Sequence, residues 1–188
     1  MIKSENEIIS QFLELKKSTD NDNIKCKEKI KKAFLECDEL IYALHNDELV
    51  DCDNDEYFGK NILPYVIIPS TQTDIKHYVC YTTNFDDYNK YNSIQKYMTV
   101  TFVIMCDVRD NIEPKTGIPR HDLIGSIIEN RFNWSNIFGF QCKLISDKES
   151  TSDGEYATRK MVFQQTTLNS ITRTSNEVTQ VINNSVRK

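Results

Sequence analysis

Apolar residues recur along this chain at two different periods, and the switch between them divides it into a helical part and a sheet-forming part. Near the N-terminus, Ile8, Ile9, Phe12, Leu13 and Leu15 make a short apolar helix face that ends at the turn cluster Ser18-Thr19-Asp20-Asn21. Asp22 or Asn23 is placed to cap a longer helix from Ile24 to about His45. Its apolar positions Ile30, Phe34, Cys37, Leu40, Ile41 and Leu44 recur at three- and four-residue steps. Lys25, Lys27, Lys31, Lys32, Asp38 and Glu39 take the opposite face.

After an acidic stretch from Asp47 to Glu56, the pattern changes to that of strands. Tyr65 to Pro69 is a short apolar run closed by proline, and His77 to Thr83 alternates around Tyr78, Val79, Cys80 and Tyr81. Met98 to Val108 is continuously β-branched and apolar. The Asn-, Asp- and Tyr-rich loop Asn84 to Lys96 joins these two runs into an antiparallel hairpin. Pro114, Gly117 and Pro119 mark a loop from Asp110 to Pro119. Asp122 then caps a helix with Leu123, Ile124, Ile127, Ile128 and Phe132 inward. A strand over Gln141 to Ile145, a polar loop from Ser146 to Gly154 and a last strand from Tyr156 to Gln165 complete the pattern. In that last strand Met161 and Phe163 share a face that Val162 does not. The polar segment beyond Leu168 fits a weak helix through Val178, Val181, Ile182 and Val186, or an extended tail ordered by a partner.

These elements predict an α+β fold, a mainly antiparallel sheet with helices packed on one face, preceded by an N-terminal helical pair. The expected division is one domain over residues 1–168, with helices in 1–46 and the sheet and helix core in 60–168, then a tail over 169–188. A length of 188 residues supports one well-formed core. With 39% hydrophobic residues there is enough apolar surface to bury.

Charge and cysteine usage narrow the partners. The net charge of −5, with basic residues concentrated only from Lys25 to Lys32, argues against tight sequence-independent nucleic-acid binding, which needs a basic face. That basic run fits phosphate contacts or the wet face of an amphipathic helix, and its interleaved carboxylate favours the latter. The six cysteines Cys26, Cys37, Cys52, Cys80, Cys106 and Cys142 show no two-residue spacing. With Lys3, Glu5 and Glu7 where a signal peptide would be apolar, they read as free thiols of a cytosolic protein. No apolar run is long enough to span a bilayer.

Searches for chemistry return near misses. Asp51, Asp53 and Asp55 have the alternation of a calcium loop, but its sixth and twelfth positions hold Glu56 and Ile62 instead of glycine and glutamate. His45, His77 and His121 are far apart, so a zinc site or general base would need tertiary convergence. Phosphate-loop, dinucleotide and nucleophile-elbow motifs are absent. Cys80 and Cys106 lie in apolar runs, where a thiol is buried and unreactive. The expectation is therefore no cofactor and no enzymatic activity. Tyr81, Tyr88, Tyr91 and Tyr97 bracket the hairpin loop and suit either base stacking or protein contact. The acidic neighbours Asp86 and Asp87 favour protein contact.

From Tyr97 onward the order of elements is distinctive. The strand Val100 to Asp107 leads through a loop to Arg120-His121-Asp122 and a helix reaching Phe132, then to a closing strand with Arg159, Met161 and Phe163. This resembles the tail-terminator and tail-completion proteins of the head-tail connector, or neck, of tailed bacteriophages, over roughly residues 60 to 168. The resemblance implies a virion structural protein, assembled in the host cytoplasm, that closes into a homo-oligomeric ring (hexamer or dodecamer). Its implied partners are other neck, portal-adaptor and tail-tube proteins, with DNA passing through without specific contact. Subunit contacts are expected from Tyr88 and Tyr91 in the hairpin loop and from Lys115 and Arg120. The last two would pair with Asp51, Asp53 and Asp55 of a neighbour. Two rival readings stand beside it: a monomeric cytosolic protein-interaction module, and an enzyme with a site converging on His77 or His121.

Overall fold

A computed structural model describes residues 4–17, 22–67, 76–87, 95–152 and 154–168. The helices are α1 (Glu5–Lys17), α2 (Asp22–Leu35), α3 (Asp38–Leu44) and α4 (Arg120–Phe132). The strands are β1 (Ile62–Leu63), β2 (Tyr78–Asp87), β3 (Gln95–Asp107), β4 (Lys143–Ser152) and β5 (Tyr156–Leu168). They form one sheet in the order β1-β2-β3-β5-β4, antiparallel except for the parallel β1-β2 pair. The expected α+β architecture is the one observed.

The core forms because strand alternation and helix periodicity present their apolar sides to each other. Val79 and Tyr81 of β2, Val100, Phe102 and Ile104 of β3, and Met161 and Phe163 of β5 face Ile30 and Phe34 of α2, Leu40 and Leu44 of α3, and Ile124, Ile128 and Phe132 of α4. Its centre is aromatic. Phe34 meets the Phe102 ring at 5.5 Å and the Phe132 ring edge-on at 5.7 Å, and Phe102 meets Phe132 at 4.9 Å and Phe163 at 5.6 Å. Each such side chain, fully buried, stabilises the fold by roughly 1.5–3 kcal/mol. A smaller cluster, Leu63, Tyr78, Cys80, Met105 and Tyr156, sits on the opposite face at one end of the sheet.

The predicted helix from Ile24 to His45 is two helices. The chain breaks at Cys37, which is extended (φ −117, ψ 91). The Asn54 amide donates to the Leu35 carbonyl at 2.8 Å, supplying a partner for one of the acceptors a helix end exposes. Asp38 and Glu39 then begin α3, where carboxylates suit the positive end of a helix. The apolar stripe spans the break, since Phe34, Cys37, Leu40 and Leu44 are all buried. That is why periodicity alone read through it.

Three other boundaries move. Asp122 is not the cap of α4: the helix starts at Arg120 behind Pro119, and the Asp122 carboxylate accepts instead from Arg159 Nη1 at 2.9 Å. The strand expected at Tyr65 lies earlier, at Ile62–Leu63, and Pro64 ends it; Tyr65, Val66 and Ile67 are exposed. Most of the predicted polar loop after Ile145 is strand to Ser152, on an outer edge of the sheet where Asp147, Lys148, Glu149, Ser150 and Thr151 are all exposed. A register shift between Leu144 and Ser146 turns Ile145 outward. The tail over 169–188 lies outside the described residues.

Arg159 fixes how closely α4 approaches the sheet. Its guanidinium bridges Asp122 of α4 and Asp147 of β4, with Nε donating to Asp147 Oδ1 at 2.9 Å. A Cβ at Gly125 would sit 2.8 Å from that guanidinium. Gly125→Ala is therefore expected to destabilise the protein by about 1–3 kcal/mol in chemical denaturation. Placed on Arg159→Ala, the same substitution should cost nothing or give back helix propensity.

Candidate functional site

The densest polar chemistry lies where β3 ends. Asp107 closes the strand and accepts from the Arg109 backbone N–H and guanidinium Nε, both at 2.9 Å, shaping the 3-10 turn Val108–Asp110. That turn carries the Asp110 carboxylate to a point where three elements meet. Asp110 Oδ2 lies 2.6 Å from Nδ1 of His45 at the end of α3, 3.2 Å from Nε2 of His77 just before β2, and 3.4 Å from Nε of Arg120 at the start of α4. Arg120 Nε also donates to the Asp110 carbonyl at 2.9 Å, and the Arg120 backbone N–H to the Asn111 carbonyl at 2.6 Å.

Buried asparagines extend the network. Asn46 Nδ2 donates to Asn61 Oδ1 at 2.7 Å, and Asn61 Nδ2 donates to the His77 carbonyl at 2.9 Å. The acidic segment after α3 is thus tied to the start of β2. On the other side, the Glu113 carboxylate accepts from the Thr116 N–H at 2.7 Å and hydroxyl at 2.6 Å, and from the Tyr42 hydroxyl at 3.3 Å. It staples the loop between β3 and α4 onto itself and onto α3.

The electrostatics follow from this geometry. Burial pushes the Asp110 carboxyl upward, but hydrogen bonds from His45 and His77 and the Arg120 charge outweigh it and leave it below the ordinary range. Burial dominates at His77, which is fully enclosed, and lowers its pKa despite Asp110. The Thr116 hydroxyl, more than any other partner, holds Glu113 down at about 2.

Among the described residues, two three-member groups of metal-ligating type converge: His45 with His77 and Asp110, and His121 with Asp122 and Glu149. Neither fits a metal. His77 Nδ1 accepts from the Asp107 backbone N–H at 3.2 Å, so a neutral ring carries its proton on Nε2 and donates it to Asp110. No lone pair is left there for an ion or for a base's proton. Buried Arg120 already supplies positive charge to the same carboxylate. In the second group the Arg159 guanidinium occupies Asp122. Asp51, Asp53 and Asp55 do not converge and stay exposed on the loop.

The residues expected at a subunit contact are scattered. Lys115 is exposed, its ammonium 5.8 Å from the Tyr42 ring. Arg120 is not at the surface: it is 2% exposed and spent on Asp110 of its own chain, which corrects its assignment to a neighbour's acids. Tyr88 and Tyr91 lie outside the described residues. Cys80 and Cys106 are buried as expected, and burial pushes both thiols up. The convergence of His45 and His77 on Asp110 was not legible; a cluster of Asp107, Arg109, Asp110 and Asn111 directly after an apolar strand is the only trace of it.

Residues 6–165 match the family YomW. No curated protein matches the chain.

Two acid-sensitive windows should appear. Because His77 binds its proton less readily folded than at its ordinary 6.5, the unfolded chain takes up protons first and stability falls as pH drops below about 6.5. Glu113, depressed from 4.5 to about 2, stabilises fully above pH 4.5 and loses that contribution as pH falls to about 2. Denaturation across pH should show both declines, with Glu113→Gln flattening the lower one. Zinc added to the folded protein should leave its melting temperature unchanged.

Proposed function

This chain belongs to the YomW family, a phage-derived family, and on that footing we propose that it is a virion structural protein forming a homo-oligomeric ring in the head-tail connector of a tailed phage. The observation that carries the reading is that the fold presents two unlike faces. Helices α2, α3 and α4 cover one side of the sheet. On the other, Thr99, Thr101 and Val103 of β3 and Val162 of β5 alternate with core residues and stay partly exposed. A closed ring requires such a pair, because each subunit must offer its neighbour a surface different from the one it receives.

The resemblance to tail-terminator and tail-completion proteins supports the same reading. It rests on the strand Val100 to Asp107 of β3, followed by α4 from Arg120 and then β4 and the closing strand β5, an order the structure keeps. Loop contacts then fall to Lys115, raised on the stapled turn, and to the exposed carboxylates Asp51, Asp53 and Asp55 of an adjacent subunit. The net charge of −5 suits a lumen that DNA crosses without sticking. Neck, portal-adaptor and tail-tube proteins are the partners, and the virion is the location.

Light scattering and electron microscopy of the purified chain, alone and with connector and tail-tube proteins, should show closed rings. Lys115→Glu should weaken them and leave the fold intact. A chain that stays monomeric at high concentration and beside those partners would overturn the reading and favour a monomeric interaction module.

A further inference from the structure

Among the described residues, α1 is the one α-helix that buries none of its residues. Ile8, Ile9, Phe12, Leu13 and Leu15 are 37%, 46%, 62%, 54% and 45% exposed. Its recorded ion pair to the rest of the chain joins Lys16 to Glu28 of α2 at 3.0 Å, with both side chains about half exposed. An amphipathic helix whose apolar side faces water lacks the tertiary packing that stabilises most helices.

The stripe itself identifies what covers it. Glu5, Ile8, Ile9, Phe12, Leu13 and Lys16 are spaced i, i+3, i+4, i+7, i+8 and i+11, so they lie on one side of α1. Read in either direction the stripe has the same form, a charge, two apolar pairs and a charge, with the sign reversed end to end. Laid antiparallel on a second copy of itself, Glu5 meets Lys16, Ile8 meets Leu13 and Ile9 meets Phe12, and each pair occurs twice. The helix dipoles also run in opposite directions in that arrangement. A parallel pairing would set Glu5 on Glu5 and Lys16 on Lys16.

We infer that α1 is a self-docking arm that pairs antiparallel with α1 of a second copy of this chain. The contact has two-fold symmetry and closes on itself, so it joins two subunits, or two rings, and is separate from the head-to-tail contact a ring needs. A helix of 13 residues is about 20 Å long, and one such pair falls below the roughly 1,200 Å² of a standard stable interface. Association through α1 alone is therefore weak and concentration-dependent, and the charged ends carry much of its specificity.

Sedimentation equilibrium of the full chain tests this. Because α1 has no buried residue, Phe12→Asp and Glu5→Lys should leave the melting temperature of the domain unchanged. Lys16→Glu, which also exchanges the exposed Lys16–Glu28 pair for a like-charge contact, should lower it only slightly. Phe12→Asp should abolish the two-fold association. Glu5→Lys places two lysine–lysine contacts in the pair, Lys16→Glu two glutamate–glutamate contacts, and each should weaken self-association by roughly tenfold. Mixed together, these two variants restore opposite charges at both ends and should form a heterodimer at wild-type strength. If Phe12→Asp associates like the wild type, or the mixture binds no better than either variant alone, α1 is not the contact. Rings that persist in Phe12→Asp would leave the neck reading standing, and loss of rings with α1 pairing retained would remove only that reading.

Discussion

The Asp110 carboxylate is the point on which the arrangement of this fold turns. Three elements distant in sequence, the end of α3, the start of β2 and the start of α4, each bring a donor to the same oxygen. Two of those donors, His77 and Arg120, are buried, so each depends on the carboxylate to compensate the loss of water. Removing one member of such a network leaves the others unsatisfied, which costs far more than the intact contacts contribute. The network therefore specifies one arrangement of helices against sheet. It also fixes the loop that leads to α4 and carries Lys115.

A second, partly exposed ion group performs a similar task near the same end of α4. Arg159 crosses beneath α4 from β5 and joins Asp122 to Asp147, and the absence of a side chain at Gly125 gives it room. Beyond both, further along the strands and α4, lies the aromatic centre of Phe34, Phe102, Phe132 and Phe163. The apolar core supplies cohesion, which is non-directional. The hydrogen-bonded charges supply register.

The architecture was legible because it rests on periodicity. Alternation over His77 to Thr83 and the β-branched run Met98 to Val108 located the central hairpin, and the spacing of Ile124, Ile128 and Phe132 located α4. Elements whose signal is polar were harder to read. Ser146 to Ser152 is strand because β5 pairs with it, although its composition is that of a loop. The break at Cys37 depends on Asn54, sixteen or more residues away, reaching the end of α2. The site was legible least of all. Arginine and histidine normally read as surface residues, and only the tertiary fold reveals that Arg120 and His77 are enclosed. The aspartates Asp51, Asp53 and Asp55, expected on a solvated loop, are exposed, since nothing in their surroundings opposes hydration.

Around this fixed interior the molecule leaves its distinctive features outside: an apolar helix arm, a partly exposed sheet face and a stapled loop. These are the surfaces on which the proposed ring and arm contacts would form. Cryo-electron microscopy of the neck in virions that encode this chain addresses that account most directly. The account predicts a ring of subunits, each with the five-stranded sheet and its helices, between the portal and the tail tube. A neck map complete without this fold, in virions from which the chain is absent, would contradict it.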